Sequence, residues 1–559
     1  MAVENLITEH IDIWTSAVKA RSTSGRGSSK KLELYGVKKL RELILELAVR
    51  GKLVPQNPND EPASFLLQRI SEEKTQLIKE KKITKPKKLP AIKKQDITFA
   101  LPEGWQACYF GDIYSLVYGD NLPKAKRTES GEFLVYGSNG SVGTHNLFSV
   151  GSPCLVIGRK GSAGAINLSD QPCWVTDVAY SLIPPVGISL KYCFLHLQTL
   201  GLDSLGKGIK PGLNRNEANA LVVCIPPSDE QHRIVAKVDE LMALCDQLEQ
   251  QTEASIEAHQ VLVTTLLDTL TNSADADELM QNWARISEHF DTLFATEESI
   301  DQLKQTILQL AVMGKLVPQD PSDEPAAELL KRIAEEKAQL VKEKKIKKQK
   351  ALPPISEDEK PFKLPNGWEW CSLSCLGYFF GGKTPSKSNS SFWGGDVLWV
   401  TPKDMKRTHI DNSEDKITQA GVDSGLTLVE VNSLMCVTRS GILRRHFPVA
   451  LAKKQCTVNQ DLKVLSFYDN TVADYVLLMM QGFEQHILDK LTKTGTTVES
   501  LKFDEFSVYP FMLPPLKEQR RIVSKVEDLM IMCEELKARL KHSQIIQQQL
   551  TDSIAGQAV

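Results

Sequence analysis

Apolar side chains recur along this chain with two different periods. Ile234, Val238, Leu241, Cys245 and Leu248 step by four, three, four, three, and Ile522, Val526, Leu529, Cys533, Leu536 and Leu540 repeat the pattern. This is the a/d spacing of a heptad, and it predicts two helices with narrow apolar seams, the first over about 230–270. At ~1.5 Å per residue such a helix extends about 60 Å, long enough to act as a strut. The two helices are expected to pack side by side as an antiparallel or crossed pair joining the two halves. Further helices are predicted over 36–50 and 62–83, with Gly51 closing the first and Pro62 in the early turn of the second, and over 299–313 and 325–346. Residues 100–224 and 363–512 follow another rule. Short apolar runs such as Leu155-Val-Ile-Gly158, Leu221-Val-Val-Cys-Ile225, Val397-Leu-Trp-Val400 and Leu462-Lys-Val-Leu465 lie between frequent Gly and Pro, which predicts modules of short strands and loops.

The pattern occurs twice. Residues 40–108 recur as 303–371 at a constant offset of 263, so that Gly51-Lys-Leu-Val-Pro-Gln56 returns as Gly314-Lys-Leu-Val-Pro-Gln319, and each copy ends on a Gly-Trp corner, Gly104-Trp105 and Gly367-Trp368. A second echo follows at an offset of 288: Pro226-Pro-Ser-Asp-Glu-Gln-His-Arg-Ile-Val235 against Pro514-Pro-Leu-Lys-Glu-Gln-Arg-Arg-Ile-Val523. Ile7-Thr-Glu-His10 also resembles Ile286-Ser-Glu-His289, at an offset of 279, which leaves 16 extra residues between positions 14 and 40 of the first copy. The polar stretch Ser22–Lys31 falls there and reads as a loop, or as a basic arm touching phosphate or a partner. The chain therefore divides into an extension with helices (1–99), a first insert (100–224), a central helical region (225–362), a second insert (363–512) and a last helix (513–559). Like frames holding unlike inserts suit a protein that presents two different surfaces in one geometry.

Charge narrows the function. A net charge of −3 over 559 residues does not advertise a nucleic-acid binder, so any DNA contact must arise from local clustering. The lysine runs 79–88 and 342–350 read as solvated helix ends or, placed just before the inserts, as phosphate contacts. Cys245 and Cys533 fall on the seams and are expected to be buried thiols; Cys371-Ser-Leu-Ser-Cys375 lacks a second pair at zinc spacing. No stretch of eighteen apolar residues and no signal segment occurs, which places the protein in the cytoplasm with no membrane contact.

Candidate chemistry sits on the turns of the inserts. Asn139, Arg159 and Lys160 in the first, and Lys383, Thr384, Arg439, Arg444 and Lys493 in the second, are donors beside glycine-rich backbone, the inventory needed to hold phosphates and read base edges. Solvated turns would carry the same residues. Gly377–Thr384 matches the phosphate-loop pattern Gly-x4-Gly-Lys-Thr, but three bulky aromatics fill it and Pro385 follows, so nucleotide binding is rejected. The four Pro-Pro pairs follow Ile or Leu rather than forming the Asn-Pro-Pro-Tyr of amino-methylating enzymes, and no catalytic residue or metal ligand is assigned. A helical scaffold without DNA function and a self-contained restriction or methylation enzyme stand as alternatives.

These duplicated motifs carry a resemblance. The chain resembles the specificity subunits of type I restriction-modification systems, in the subgroup with an extended N-terminus. The resemblance covers essentially the whole chain and implies an α+β fold: two α/β target-recognition domains joined by long helices forming a coiled-coil-like spacer, with an internal pseudo-twofold repeat. It implies that each domain reads one half of a bipartite site in double-stranded DNA. It further implies two methyltransferase subunits bringing S-adenosylmethionine, and two restriction/translocase subunits bringing ATP and Mg, with no cofactor bound by this chain.

Overall fold

The computed structural model describes all residues except 1–2, 21–31, 81–88, 206–211, 349–354, 361–362 and 496–497. It forms two compact units, residues 1–256 with 542–559 and residues 257–541. The stretch Ser22–Lys31 lies outside the described residues, flanked by the antiparallel pair Lys19–Ala20 and Leu32–Glu33. The lysine run 79–88 also lies largely outside them; in the second run Lys345 pairs with Glu343 at 2.8 Å.

In each unit the repeated text folds into the same frame. The helices Tyr35–Val49 and Glu297–Val312 bury one face, including Leu40, Ile44 and Leu47 in the first and Leu303, Ile307 and Leu310 in the second. Gly51 (φ +66°) and Gly314 (φ +71°) turn the chain beyond them. No other residue fits there, because a Cβ would lie 2.5 Å from Pro102 Cγ in the first unit and 2.7 Å from Pro365 Cγ in the second. The chain then enters the helices Ala63–Lys79 and Ala326–Lys342.

The Gly-Trp corner, the glutamine of Gly-Lys-Leu-Val-Pro-Gln and the glutamate of the Pro-Pro element converge on one buried network. Trp105 Nε1 donates to Glu230 Oε2 at 3.0 Å, and Gln56 Nε2 donates to Glu230 Oε1 at 3.2 Å and to the Gly51 carbonyl at 2.7 Å. In the second unit Trp368 and Gln319 hold Glu518 at 3.1 and 3.2 Å, and Gln319 caps Gly314 at 2.7 Å. One turn on, Arg233 pairs with Asp60, and Arg521 with Asp323, at 2.6 Å in both. Glu230 and Glu518 are each 1% exposed. Burial pushes their pKa values up against the opposing pull of their hydrogen bonds. The repeated motifs are thus the closure of each frame rather than a reactive centre.

The heptad helices run Ser228–Asn272 and Leu516–Ala558, 45 and 43 residues. The first seam is buried throughout and the second at Ile522, Val526 and Cys533, with Leu529, Leu536 and Leu540 partly buried. Ile234, Val238, Leu241, Cys245 and Leu248 share a core with Leu40, Leu43 and Leu47, and Arg41 reaches across to Asp246 and Glu249 at 2.7 Å. Ile522, Val526 and Cys533 share a core with Leu303, Ile307 and Leu310, and Lys304 pairs with Glu534 at 2.5 Å. The later part of the first helix supplies Val263, Leu267 and Leu270 to the core of the second unit, and the end of the second helix supplies Ile554 to the core of the first.

Each insert is entered and left through a two-stranded clasp, Gln106–Tyr109 with Val222–Ile225 and Glu369–Cys371 with Phe511–Leu513. Within the first, an antiparallel sheet has the order Val117–Tyr118, Ala179–Leu182, Cys154–Gly158, Ile166–Ser169, beside a smaller sheet Gly140–His145, Phe133–Gly137, Trp174–Val175. The second has Gly377–Gly381, Leu462–Phe467, Leu434–Val437, Val449–Ala452 in the same order, with His409–Ile410 added at the edge, and the smaller sheet Asp415–Ile417, Trp393–Val400, Cys456–Val458. The unlike texts therefore fold on one topology. Gly377–Gly381, the front of the rejected phosphate-loop pattern, is a strand paired with Leu462–Phe467.

His196, on the helix Leu190–Thr199, is buried and shares a hydrogen bond of 3.1 Å between its Nδ1 and the Tyr114 hydroxyl. Burial pushes its pKa down to about 4. An unfolded histidine binds its proton near pH 6.5, so between these values the unfolded chain holds more protons. Stability of the first unit is complete above about pH 6.5 and is lost as the pH falls towards 4. Urea midpoints measured from pH 7 to 4 should therefore fall more steeply for the natural chain than for His196→Gln; equal slopes would remove this assignment.

Candidate nucleic-acid interface

The tips of the two inserts share a set of corresponding hydrogen bonds. After the first edge strand, Asp120 N donates to the Val175 carbonyl at 2.8 Å; in the second insert Lys383 N donates to the Val458 carbonyl at 3.0 Å. The glycine before each is forced, since a Cβ on Gly119 would lie 2.3 Å from the Thr176 carbonyl and one on Gly382 2.0 Å from that of Val458. A tryptophan N–H caps the carbonyl that follows, Trp174 to Asp120 at 3.1 Å and Trp399 to Lys383 at 3.2 Å. At the end of the central strand, Arg159 N donates to the Val178 carbonyl, and Thr438 N to that of Asp461. Leu213 N then returns to the Arg159 carbonyl and Leu501 N to that of Thr438, both at 2.9 Å.

This register sets Lys160 against Gly212 and Arg439 against Ser500 as matching bridges. Both cations are exposed. The structure thus brings one cation to the same scaffold position in each insert. Asn139 stands exposed on the turn between Phe133–Gly137 and Gly140–His145, and that turn lies against the Arg159 loop: a Cβ on Gly158 would be 2.4 Å from the Ser138 carbonyl. Arg159 itself donates from Nε and Nη2 to the Asp177 carbonyl at 3.1 and 2.6 Å.

In the second insert Thr384 Oγ1 donates to Gln460 Oε1 at 2.5 Å, next to exposed Lys383. Lys493 is exposed on the short strand Thr492–Lys493, whose partner Ser500–Leu501 also borders Arg439. Arg444 is tied differently, since its Nε donates to Glu499 at 2.5 Å and Glu499 is 8% exposed. The pairing fixes the loop 441–445 and leaves adjacent Arg445 exposed. All five candidates of this insert fall on segments bonded to one another through 438, 459–461 and 499–501.

Sequence reasoning missed Arg215, Tyr118 and Lys463. Tyr118 is half-exposed, with the guanidinium carbons of Arg159 and Arg215 5.1 and 5.2 Å from its ring centre. Lys463 lies 5.1 Å over the Phe503 ring. None of these stands on a glycine-rich turn, the signal used to choose candidates. Among the described residues, no group of three or more His, Cys, Asp or Glu is gathered for a metal, and no helix is long and apolar enough to cross a membrane.

Two like scaffolds, each displaying a different set of cations and amides at one tip, define a two-site recognition protein. The family model "Type I restriction modification DNA specificity domain" matches residues 102–258 and 365–544. The type I restriction enzyme EcoEI specificity subunit of Escherichia coli is 40% identical over the full length of both chains, and the EcoAI specificity subunit of the same organism is likewise 40% identical over the full length of both. This chain belongs to the family of type I restriction-modification specificity subunits. A solved chain from work on complex assembly and conformational transition of the type I R-M system covers 82% of this chain and 98% of itself, at 16% identity and a TM-score of 0.46.

Proposed function

We propose that this chain is the non-catalytic, DNA-reading subunit of a type I restriction-modification complex, each insert reading one half of a bipartite site in double-stranded DNA. One observation carries the reading: two sequence-divergent inserts share a hydrogen-bonded tip, and that tip displays Lys160 in one and Arg439 in the other at the same position. A matched cation suits the sequence-independent phosphate contact common to both halves, and the unlike neighbours Asp120 and Lys383, or Asp177 and Gln460, suit different base edges. Asn139, Arg159 and Lys160, with Lys383, Thr384, Arg439, Arg444 and Lys493, are the proposed DNA contacts, and residues 100–224 and 363–512 the two target-recognition domains. Two methyltransferase subunits would carry S-adenosylmethionine and modify adenine flipped out of the duplex. Two restriction/translocase subunits would add ATP- and Mg-dependent cleavage, all in the cytoplasm.

The test is the adenine methylation pattern of cells making this chain with a partner methyltransferase, against cells making the methyltransferase alone. A two-part motif with a fixed unread gap, present only with this chain, is the expected result. Methylation without such a motif, although the proteins co-purify, would overturn the reading in favour of a scaffold.

A further inference from the structure

We infer that Arg159 and Arg215, laid against the ring of Tyr118, form a clamp for a phosphate diester of double-stranded DNA that positions the duplex without reading a base. The inference rests on the DNA-reading role proposed above and assigns a chemical class to one part of that surface.

The two guanidinium carbons stand 5.1 and 5.2 Å from the Tyr118 ring centre, and Tyr118 is 50% exposed. Several other arginines meet carboxylates: Arg41 meets Asp246 and Glu249, Arg233 meets Asp60, Arg332 meets Glu324 and Arg521 meets Asp323. Arg159 meets the Asp177 carbonyl instead, and Arg215 the Leu116 carbonyl at 3.5 Å, with no described carboxylate paired to either. A ring face attracts each cation but neutralises neither. Both positive charges thus lie against one half-exposed ring, and among the described residues no carboxylate is paired with either. An anion relieves their repulsion; the neutral edge of a base does not. A guanidinium fork matches phosphate oxygens, and Arg159 retains its Nη1 donors for that purpose.

The clamp is braced from below. The Tyr118 and Tyr180 ring centres are 5.0 Å apart, and Tyr180 is 2% exposed with its hydroxyl donating to the Leu213 carbonyl at 3.2 Å. Both strands under the rings are paired, Tyr180 with Tyr118 and with Ile157. Such a support fixes the arginines before the ligand arrives, so little side-chain freedom is lost on binding.

The second insert carries a rearranged version. By the register of the shared hydrogen bonds, Gly381 follows Tyr118 in position and Phe503 follows Arg215. There Lys463 lies 5.1 Å over the Phe503 ring, with Nζ 3.1 Å from where a Gly381 Cβ would be. A cation on an aromatic face recurs at one scaffold site although the residues have exchanged places. Unlike residues with a like outcome fit a function common to both halves, which contact with the backbone is and base reading is not.

The experiment uses the full chain assembled with its methyltransferase partner, titrated with salt on a duplex carrying its methylation motif and on one without it. Arg159→Ala and Arg215→Ala should each weaken binding to both duplexes by the same factor. Each should flatten the slope of log K against log salt by about 0.9, and the methylated motif should stay unchanged. Tyr118→Phe, which keeps the ring, should behave as the natural chain; Tyr118→Leu should reproduce the loss. Relaxed preference at one base position with an unchanged slope would overturn the clamp in favour of base reading, and unchanged binding would overturn it outright. If the natural complex methylates no bipartite motif, the proposed function fails; if it does so and the variants bind both duplexes with its affinity and salt slope, only the clamp fails.

Discussion

Trp368→Ala should lower the stability of the second unit by about 3–5 kcal/mol, the usual cost of truncating a buried tryptophan. The side chain is 5% exposed, and its indole N–H donates to Glu518, a carboxylate 1% exposed. The substitution opens a cavity and also leaves a buried acceptor with Gln319 alone. Trp368→Phe separates the two effects, keeping most of the volume and losing only the donor, for a cost of about 1–3 kcal/mol. Trp105 repeats the arrangement in the first unit with Glu230 and Gln56, so each unit serves as the control for the other. Amide hydrogen exchange should show lost protection in Glu297–Val312 for Trp368→Ala and in Tyr35–Val49 for Trp105→Ala. Loss spread evenly over both helices would contradict the assignment of one closure to each frame.

The second large effect concerns the inserts. Replacing the segment between Tyr109 and Val222 with the corresponding segment of a relative should change one half of the methylated motif and leave the other half and the gap intact. The cut points face each other across the clasp, where Val222 pairs with Tyr109 and Ile225 with Gln106. The graft therefore enters and leaves at one paired position, and the network around Glu230 lies outside it. A motif changed in both halves, or in neither, would contradict independent reading by the two inserts.

The frame was legible because its repeat is written in the residues themselves. Gly51 and Gly314 and the two tryptophans recur at one offset because each meets the same neighbours, and helix boundaries fell within a few residues of the periodic signal. What binds the motifs together was not legible: Glu230 lies far along the chain from Trp105 and Gln56, and spacing does not show three separated polar groups meeting. The heptad seams were read correctly as apolar, but a seam of about two residues in seven specifies a narrow contact and does not show that Leu40 and Leu303 of the shorter helices share the same cores.

The inserts show a different limit. Their common topology was hidden because matching positions hold unlike residues, Asp120 against Lys383 and Tyr118 against Gly381, and because Trp174 and Trp399 make equivalent bonds from different strands. Backbone bonds that do not depend on residue type carry the equivalence, and a text comparison cannot register them. Glycine-rich turns pointed to Lys160 and Arg439, which hold corresponding bridge positions within their own inserts. Arg215 escaped because its place is set by a ring nearly a hundred residues earlier in the chain.

The first unit is closed by residues 542–559, made long after the rest of it. Tyr35 donates to Asp552 at 2.7 Å, Lys52 to the Val559 oxygen at 2.6 Å, and Ile554 lies in the same core as Leu40. On the ribosome, therefore, the unit begun first is finished last. The segment 257–541 is contiguous and can collapse as soon as it has emerged, whereas the earlier segment must stay open until residues beyond 541 are made. A translation stop shortly before His542 would spare the later-made unit and damage the one whose residues were synthesised first.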